Sequence, residues 1–367
     1  MWAAATLTVD VAAIRENYRS LSKRAAGVIC AAVVKADAYG LGIRQVAPAL
    51  VAEGCGTFFV AHFDEGIELR RILGCGPSII VLHGPLPGSE AEFCSSALLP
   101  VLNSLDQLAG WAALARKRET RLAAMMQVDT GMTRFGLPPA DVESLMTDDR
   151  NLSSINLRGI MSHLACADDP ENDANPAQLK AFLTVRHRFP AAAASLSASS
   201  GIFLGKGYHL DLVRPGAALY GVAPMPGGPN PMKAVIGLDA QVVQVFEAAA
   251  NTAVGYGHAA RLAHPARLAI VAAGYADGIP RSASNQGAAW LGDIRLPMVG
   301  RVSMDSITLD VTHAPASLRP GSMVQLIGPT HGVDELAVAA GTIGYDILTS
   351  LGRRYRRRYI DGSEHLA

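Results

Sequence analysis

Between residues 28 and 216 the chain repeats one unit: a short uninterrupted apolar run, a turn, then usually a segment with helical spacing. The apolar runs fall at residues 28–34, 58–61, 79–82, 99–102, 122–128, 157–161, 195–198 and 212–213, eight in all. A strand apolar on both faces is covered on both, and strands joined through helices run parallel. Eight such units predict an α/β fold with a closed (β/α)8 barrel of the TIM type, which is usually roughly 250 residues long. The competing architecture is an open, doubly wound sheet. The polar residues separate the two. Lys35, Arg134, His163, Ser199 and Arg214 all stand at or just past the C-terminal end of a strand. In a barrel they surround one mouth, the face on which active sites of this fold are built.

Lys35 is the sharpest of these signals. The chain has six lysines, and Lys35 alone ends an apolar strand. Lost hydration favours the neutral amine, the form that attacks a carbonyl. The plain alternative is a lysine that snorkels to water from a strand end. The residues that follow, Ala36-Asp37-Ala38-Tyr39-Gly40-Leu41-Gly42, put a phenol and two glycines where strand gives way to helix.

Outside the repeat, residues 6–11 read as a strand and 11–23 as a helix capped by Asp10. The Pro/Gly-rich stretch 224–231 marks a boundary, dividing the chain into domains of residues 1–231 and 232–367. Beyond it, strands are expected at 238–246, 267–273, 294–299, 306–311 and 323–327, with one helix at 333–340. That is a smaller, mainly β domain with mostly antiparallel pairing. The arginine-rich stretch 353–359 reads as a terminal strand whose charge protects it from edge pairing. A phosphate or nucleic-acid contact is the other reading.

Composition removes several classes of function. Formal net charge is zero and only 17% of residues are charged, which gives no electrostatic case for nucleic acid or an anionic membrane. Five scattered cysteines without a CxxC pair fit reduced thiols in the cytoplasm. Residues 1–10 lack the basic start of a signal peptide, and no apolar stretch has the length of a membrane span. No metal-ligand spacing stands out.

Six motifs then fall in one order: Ala32-Val33-Val34-Lys35-Ala36-Asp37-Ala38-Tyr39-Gly40, Asp129-Thr130-Gly131-Met132-Thr133-Arg134-Phe135-Gly136, Ser162-His163, Val213-Arg214-Pro215-Gly216, Gly274-Tyr275-Ala276-Asp277-Gly278 and Val299-Gly300-Arg301-Val302-Ser303-Met304-Asp305. In that order they resemble alanine racemase, over nearly the whole chain. The resemblance implies a homodimer using pyridoxal 5'-phosphate (PLP) to interconvert L- and D-alanine, with D-alanine going to peptidoglycan. It implies that Lys35 holds PLP and serves the D face of the substrate as a base. Tyr256 is implied as the base for the L face, reaching the site from the other subunit, with His163 and Arg214 behind it in a hydrogen-bond chain. Arg214 resembles the residue facing the pyridine nitrogen. An arginine donates a hydrogen bond but no proton, which weakens the ring as an electron sink and favours prompt reprotonation over transamination.

By the same resemblance Tyr39, Ser199 and the backbone of Gly216 and Ala217 hold the phosphate. Arg134 contacts the cofactor's phenolic oxygen and the substrate carboxylate. The Met304 backbone binds that carboxylate from the partner, and Tyr275 and Asp305 line the access corridor. Three positions depart from the family pattern. Gln127 stands where many members carry a carbamylated lysine, Ala198 where an asparagine precedes the phosphate serine, and Arg353 near a phosphate-binding tyrosine. The alternatives are a racemase of another small amino acid such as serine, a related barrel decarboxylase, and a PLP carrier without catalysis. Carriers lack the second domain, so Tyr256 and Met304 are the discriminating features.

Overall fold

The computed structural model describes residues 3–25, 27–362 and 366. Strand β1 (Ala5–Asp10) comes first, followed by a helix, Val11–Arg24, whose N-terminal amide at Ala13 is capped by the Asp10 carboxylate at 2.8 Å. The helix buries Ile14, Tyr18 and Leu21, spaced three and four residues apart as one helical face requires.

The barrel strands then follow: β2 (Ile29–Cys30), β3 (Ala32–Val33), β4 (Thr57–Val60), β5 (Ser78–Val81), β6 (Leu99–Leu102), β7 (Leu122–Gln127), β8 (Ile155–Met161), β9 (Ala193–Ser195) and β10 (Leu212–Val213). Strands β3 to β9 form a seven-stranded parallel sheet in sequential order. Strand β10 pairs in parallel with β2, and β2 runs through Ala31 into β3. The Ala31 and Val33 amides donate to the Val213 and Pro215 carbonyls, both at 2.9 Å. On the far edge the Arg214 amide donates to the Ser197 carbonyl at 2.9 Å. Both edges of the sheet therefore meet on β10 and its extension. The barrel closes, as the repeat predicts, and no open doubly wound sheet forms. Phe58, Phe59 and Val60 are all fully buried although neighbours point to opposite faces. One face packs the barrel interior and the other the helices, each side chain contributing about 2 kcal/mol.

β1 is not a barrel strand. It pairs antiparallel with β11 (Ile236–Ala248) and parallel with the terminal strand Arg356–Ile360. The stretch 1–231 is thus not one contiguous barrel. Its alternating Thr6-Leu7-Thr8-Val9 suits a sheet buried on one face. The second sheet adds Ala266–Val271, Ile307–Asp310 and Met323–Ile327 close to where the apolar runs put them. It also holds a hairpin, Ala288–Leu291 with Ile294–Pro297, of which the pattern showed only the second arm. Arg356–Ile360 lies at the sheet edge, in keeping with its charge.

Two helices, Val333–Ala340 and Gly344–Ser350, leave this sheet and pack together over the barrel mouth. The sequence pattern marks only the first. The second is short and opens on glycine, and its Tyr345, Ile347 and Thr349 have no strong helical preference.

Candidate active site

A cavity of about 950 Å³ opens at the C-terminal mouth of the barrel. Lys35, Tyr39, Arg134, His163, Ser199, Arg214, Gly216 and Ala217 line it, so the structure brings all the barrel residues of the predicted site together. Tyr345 and Thr349 close one side from the helix Gly344–Ser350.

Lys35 does not lead into a right-handed helix. Ala36, Asp37, Ala38 and Tyr39 all have φ between 53° and 55°, and Gly40 follows at 80°. Four successive non-glycine residues in the left-handed region cost roughly 1–2 kcal/mol each. Tertiary contacts hold the turn. The Asp37 carboxylate accepts from the Ile43 amide at 2.7 Å, and the Arg357 guanidinium donates to the Gly40 carbonyl at 2.6 Å. Gly40 has no room for a side chain, since a Cβ there would lie 2.6 Å from the Leu348 carbonyl oxygen. The result swings Lys35 and Tyr39 into the cavity. Burial, then the charge of Arg134, holds the Lys35 amine below the usual lysine range, while Glu65 opposes them. These forces favour the nucleophilic form inferred from the strand.

Arg214 is buried and has no carboxylate partner among the described ion pairs. Its guanidinium donates to the Ser195 hydroxyl, to the Ser162 carbonyl at 2.7 Å and to the Leu196 carbonyl at 3.3 Å. Burial lowers its pKa to about 9, which leaves it charged at neutral pH. His163 Nδ1 lies 3.4 Å from Arg214 Nη2. Burial, then Arg214, Arg134 and Lys35, push the His163 pKa down to about 3. The ring is therefore neutral, and its Nδ1 accepts from the arginine.

At the far end the Ser199 Oγ accepts from the Gly216 amide at 3.0 Å and the Ala218 amide at 3.1 Å. Its own proton is left to point at an anion. Ala217 opens a 3-10 turn, so its amide has no partner within that turn. Tyr39 stacks on Tyr220 with ring centroids 4.8 Å apart, and burial keeps its hydroxyl protonated. The Tyr39 and Ser199 hydroxyls, with the Ala217 amide unpaired in its turn, make a phosphate cradle, and the bond to Ser199 keeps the Gly216 amide at its edge. Gly216 is required for it, because a Cβ there would collide with the Tyr39 hydroxyl. Gly216→Ala is expected to weaken PLP binding about tenfold and, by crowding Tyr39 in a buried turn, to destabilise the cofactor-free protein by about 1–3 kcal/mol. Equilibrium dialysis against PLP checks this.

The Asp129-Thr130-Gly131 motif acts through its backbone. One Asp129 oxygen accepts from the amides of Gly131, Met132 and Thr133 at 2.9, 3.0 and 3.1 Å. This folds the loop that carries Arg134. Gln127 donates to the Phe135 carbonyl at 3.2 Å, so it steadies the same loop through the main chain. Arg353 is exposed and does not line the cavity. Its neighbour Arg354 pairs with Asp277 and Asp305, each at 2.7 Å, fixing the two C-terminal motifs to one another. Tyr345 reaches the cavity instead, a tyrosine hidden from sequence reading because nothing marks its helix as facing the barrel.

Tyr256, Tyr275, Met304 and Asp305 do not line this cavity. Tyr256 is 71% exposed and Met304 52%, on the surface of the β domain. The predicted site residues thus form two groups, one around Lys35 and one on an open surface.

Residues 9–224 match the family model for the N-terminal domain of alanine racemase, and residues 235–359 match that for its C-terminal domain. The chain belongs to the alanine racemase family. Members of the family are PLP-dependent isomerases. A catabolic alanine racemase from Mesorhizobium japonicum is 52% identical, the alignment covering 98% of this chain and 94% of that one. One from Agrobacterium fabrum, also called catabolic, is 51% identical over 96% and 92%. The crystal structure of alanine racemase from Bartonella henselae, with covalently bound pyridoxal phosphate, superposes with a TM-score of 0.94 at 41% identity, covering 98% of this chain and all of that one. The alanine racemase fold thus explains the interleaving of barrel and β domain. The cavity fits the cofactor by its donor set: one amine biased toward neutrality, one buried cation with no carboxylate partner among the described ion pairs, and a hydroxyl-and-amide cradle.

Proposed function

We propose that this protein interconverts L- and D-alanine with two bases on opposite faces of the substrate. The observation that carries the reading is the desolvated Lys35 amine at the barrel mouth, lining one cavity with Arg134, Ser199 and Gly216. When bound, PLP supplies an electron-withdrawing ring that acidifies the Cα–H bond of an amino acid joined to it. The chain's own residues do the rest. Tyr39, Ser199, Gly216 and Ala217 hold the phosphate. Arg214 donates a hydrogen bond to the ring nitrogen, and neutral His163 orients the guanidinium from behind. Arg134 holds the cofactor's phenolic oxygen and the substrate carboxylate. Lys35 Nζ carries the proton to and from the D face.

The second base is Tyr256 of a partner subunit in a homodimer. The support is its place on the surface, with Met304, rather than in the cavity of its own chain. In this arrangement residues 232–367 of one subunit complete the site of the other, the Met304 amide meets the substrate carboxylate, and Tyr275 and Asp305 border the way in. Sedimentation should give a dimer. A monomer with full activity would remove this assignment. Five free cysteines support a reducing compartment, the cytoplasm.

Chiral analysis of a panel of amino acids tests the substrate. Alanine should be racemised at least tenfold faster than serine, and comparable rates would make the enzyme a broader small-amino-acid racemase. The physiological direction is a separate matter, because a racemase only brings both enantiomers to equilibrium. Supply of D-alanine to peptidoglycan is the role the resemblance implies. A part in alanine breakdown has the relatives named catabolic in its favour. A deletion strain distinguishes them. Need for added D-alanine supports supply, and loss of growth on one enantiomer of alanine as sole carbon source, with growth on the other intact, supports breakdown.

A further inference from the structure

Glu65 belongs to the N-terminal turn of the helix Phe63–Leu73, and one of its oxygens caps that helix. This Oε2 accepts from the amides of Ala61 and His62 at 2.7 and 3.0 Å, at the end of β4. A cap needs nothing more. The other oxygen reaches a different element: Oε1 accepts from the Ala36 amide at 2.6 Å. Ala36 follows Lys35 and is the first of the four left-handed residues. Later amides of that turn find acceptors within it, Ala38 on Val34 and Gly40 on Ala36. The Ala36 amide is met by the Glu65 carboxylate.

We propose that Glu65 is a positioning residue for Lys35. It ties the first left-handed residue of the lysine turn to the end of the neighbouring barrel strand, and so aims the amine at the cofactor and substrate. Three backbone N–H donors hold the carboxylate, and none of the described ion pairs involves it. The anion therefore stays committed to the backbone. Its charge also lies near enough to Lys35 to counter Arg134 and burial. A neutral acceptor would supply only part of this. In glutamine one end of the side chain becomes a donor, which then faces either Ala36 or the Ala61–His62 pair.

The inference rests on Lys35 carrying PLP, and the experiment keeps the two claims apart. Holoenzymes of wild type, Glu65→Ala, Glu65→Gln and Ser104→Ala are compared. Ser104 caps another barrel helix through the Gln107 amide at 3.2 Å, so its loss imitates the capping part alone. The readouts are visible circular dichroism of bound PLP, which reports cofactor orientation, PLP release, thermal midpoint, and kcat and KM in both directions. Glu65→Ala should lower kcat at least tenfold in both directions with KM within twofold. The visible dichroism should fall by half or more, and PLP release should quicken. Ser104→Ala should lower the thermal midpoint only. Glu65→Gln should fall between wild type and Glu65→Ala, and it serves if the alanine variant does not fold. The proposal is overturned if the Glu65 variants match Ser104→Ala, losing thermal stability but keeping kcat and dichroism. Wild type without a PLP band would instead sink the reading of Lys35.

Discussion

Lys35→Ala should bind PLP without the visible absorbance of the lysine-bound cofactor, and its racemisation should fall by about 10³-fold or more. A positioned base contributes about 10² to 10⁴ in rate, and this residue is also the covalent anchor. The fold should not suffer. Lys35 makes none of the described ion pairs, and its amine is held below the usual lysine range by burial. Removing a partly buried amine that pairs with no carboxylate among the described ion pairs is close to neutral for stability. Alanine also fits the backbone here, because the left-handed conformation begins at Ala36. Absorbance and thermal unfolding on the same sample check both halves. Retained activity would mean that another group holds the cofactor, whereas loss of folding would make Lys35 a structural residue.

Tyr256→Phe should have the second largest effect, and an asymmetric one. The substitution removes one oxygen from a side chain that is 71% exposed in the single chain, so stability should change by less than about 0.5 kcal/mol. Catalysis should fall by about 10²-fold or more. Release of the α-proton from L-alanine should slow more than release from D-alanine. Equal slowing would undo the assignment of faces. The subunit assignment has its own test. Lys35→Ala and Tyr256→Phe subunits, each inactive, should regain activity when mixed. A mixed dimer holds one site with neither lesion, so random reassortment restores about a quarter of the sites. Without recovery, Tyr256 would act within its own chain.

The barrel was legible because its signal is local. Short continuous apolar runs such as Phe58-Phe59-Val60, bounded by turn residues, read as strands buried on both sides, and each ends where polar residues begin. The cavity residues inherited that legibility. Once the strand order is known, Lys35, Arg134, His163 and Arg214 must share one mouth. Features set by distant contacts were not legible. The left-handed turn at residues 36–39 contradicts the local preference of Ala-Asp-Ala-Tyr and exists because Glu65, Leu348 and Arg357 surround it. β1 joined the second sheet because its partner begins at residue 236, a separation no periodicity reveals. Tyr345 entered the cavity for the same reason. Tyr256 is the opposite case, a surface residue in its own chain whose role came only from resemblance.

The central claim is that one amine and one phenol exchange the α-proton of alanine on opposite faces. Its most direct measurement follows that proton in deuterated water by NMR, beginning from each enantiomer and extended to a panel of small amino acids. Wild-type enzyme should replace the α-proton of both L- and D-alanine with deuterium as the opposite enantiomer appears, and Lys35→Ala should do neither. Bound PLP at Lys35 with no α-proton exchange on either enantiomer would contradict the claim.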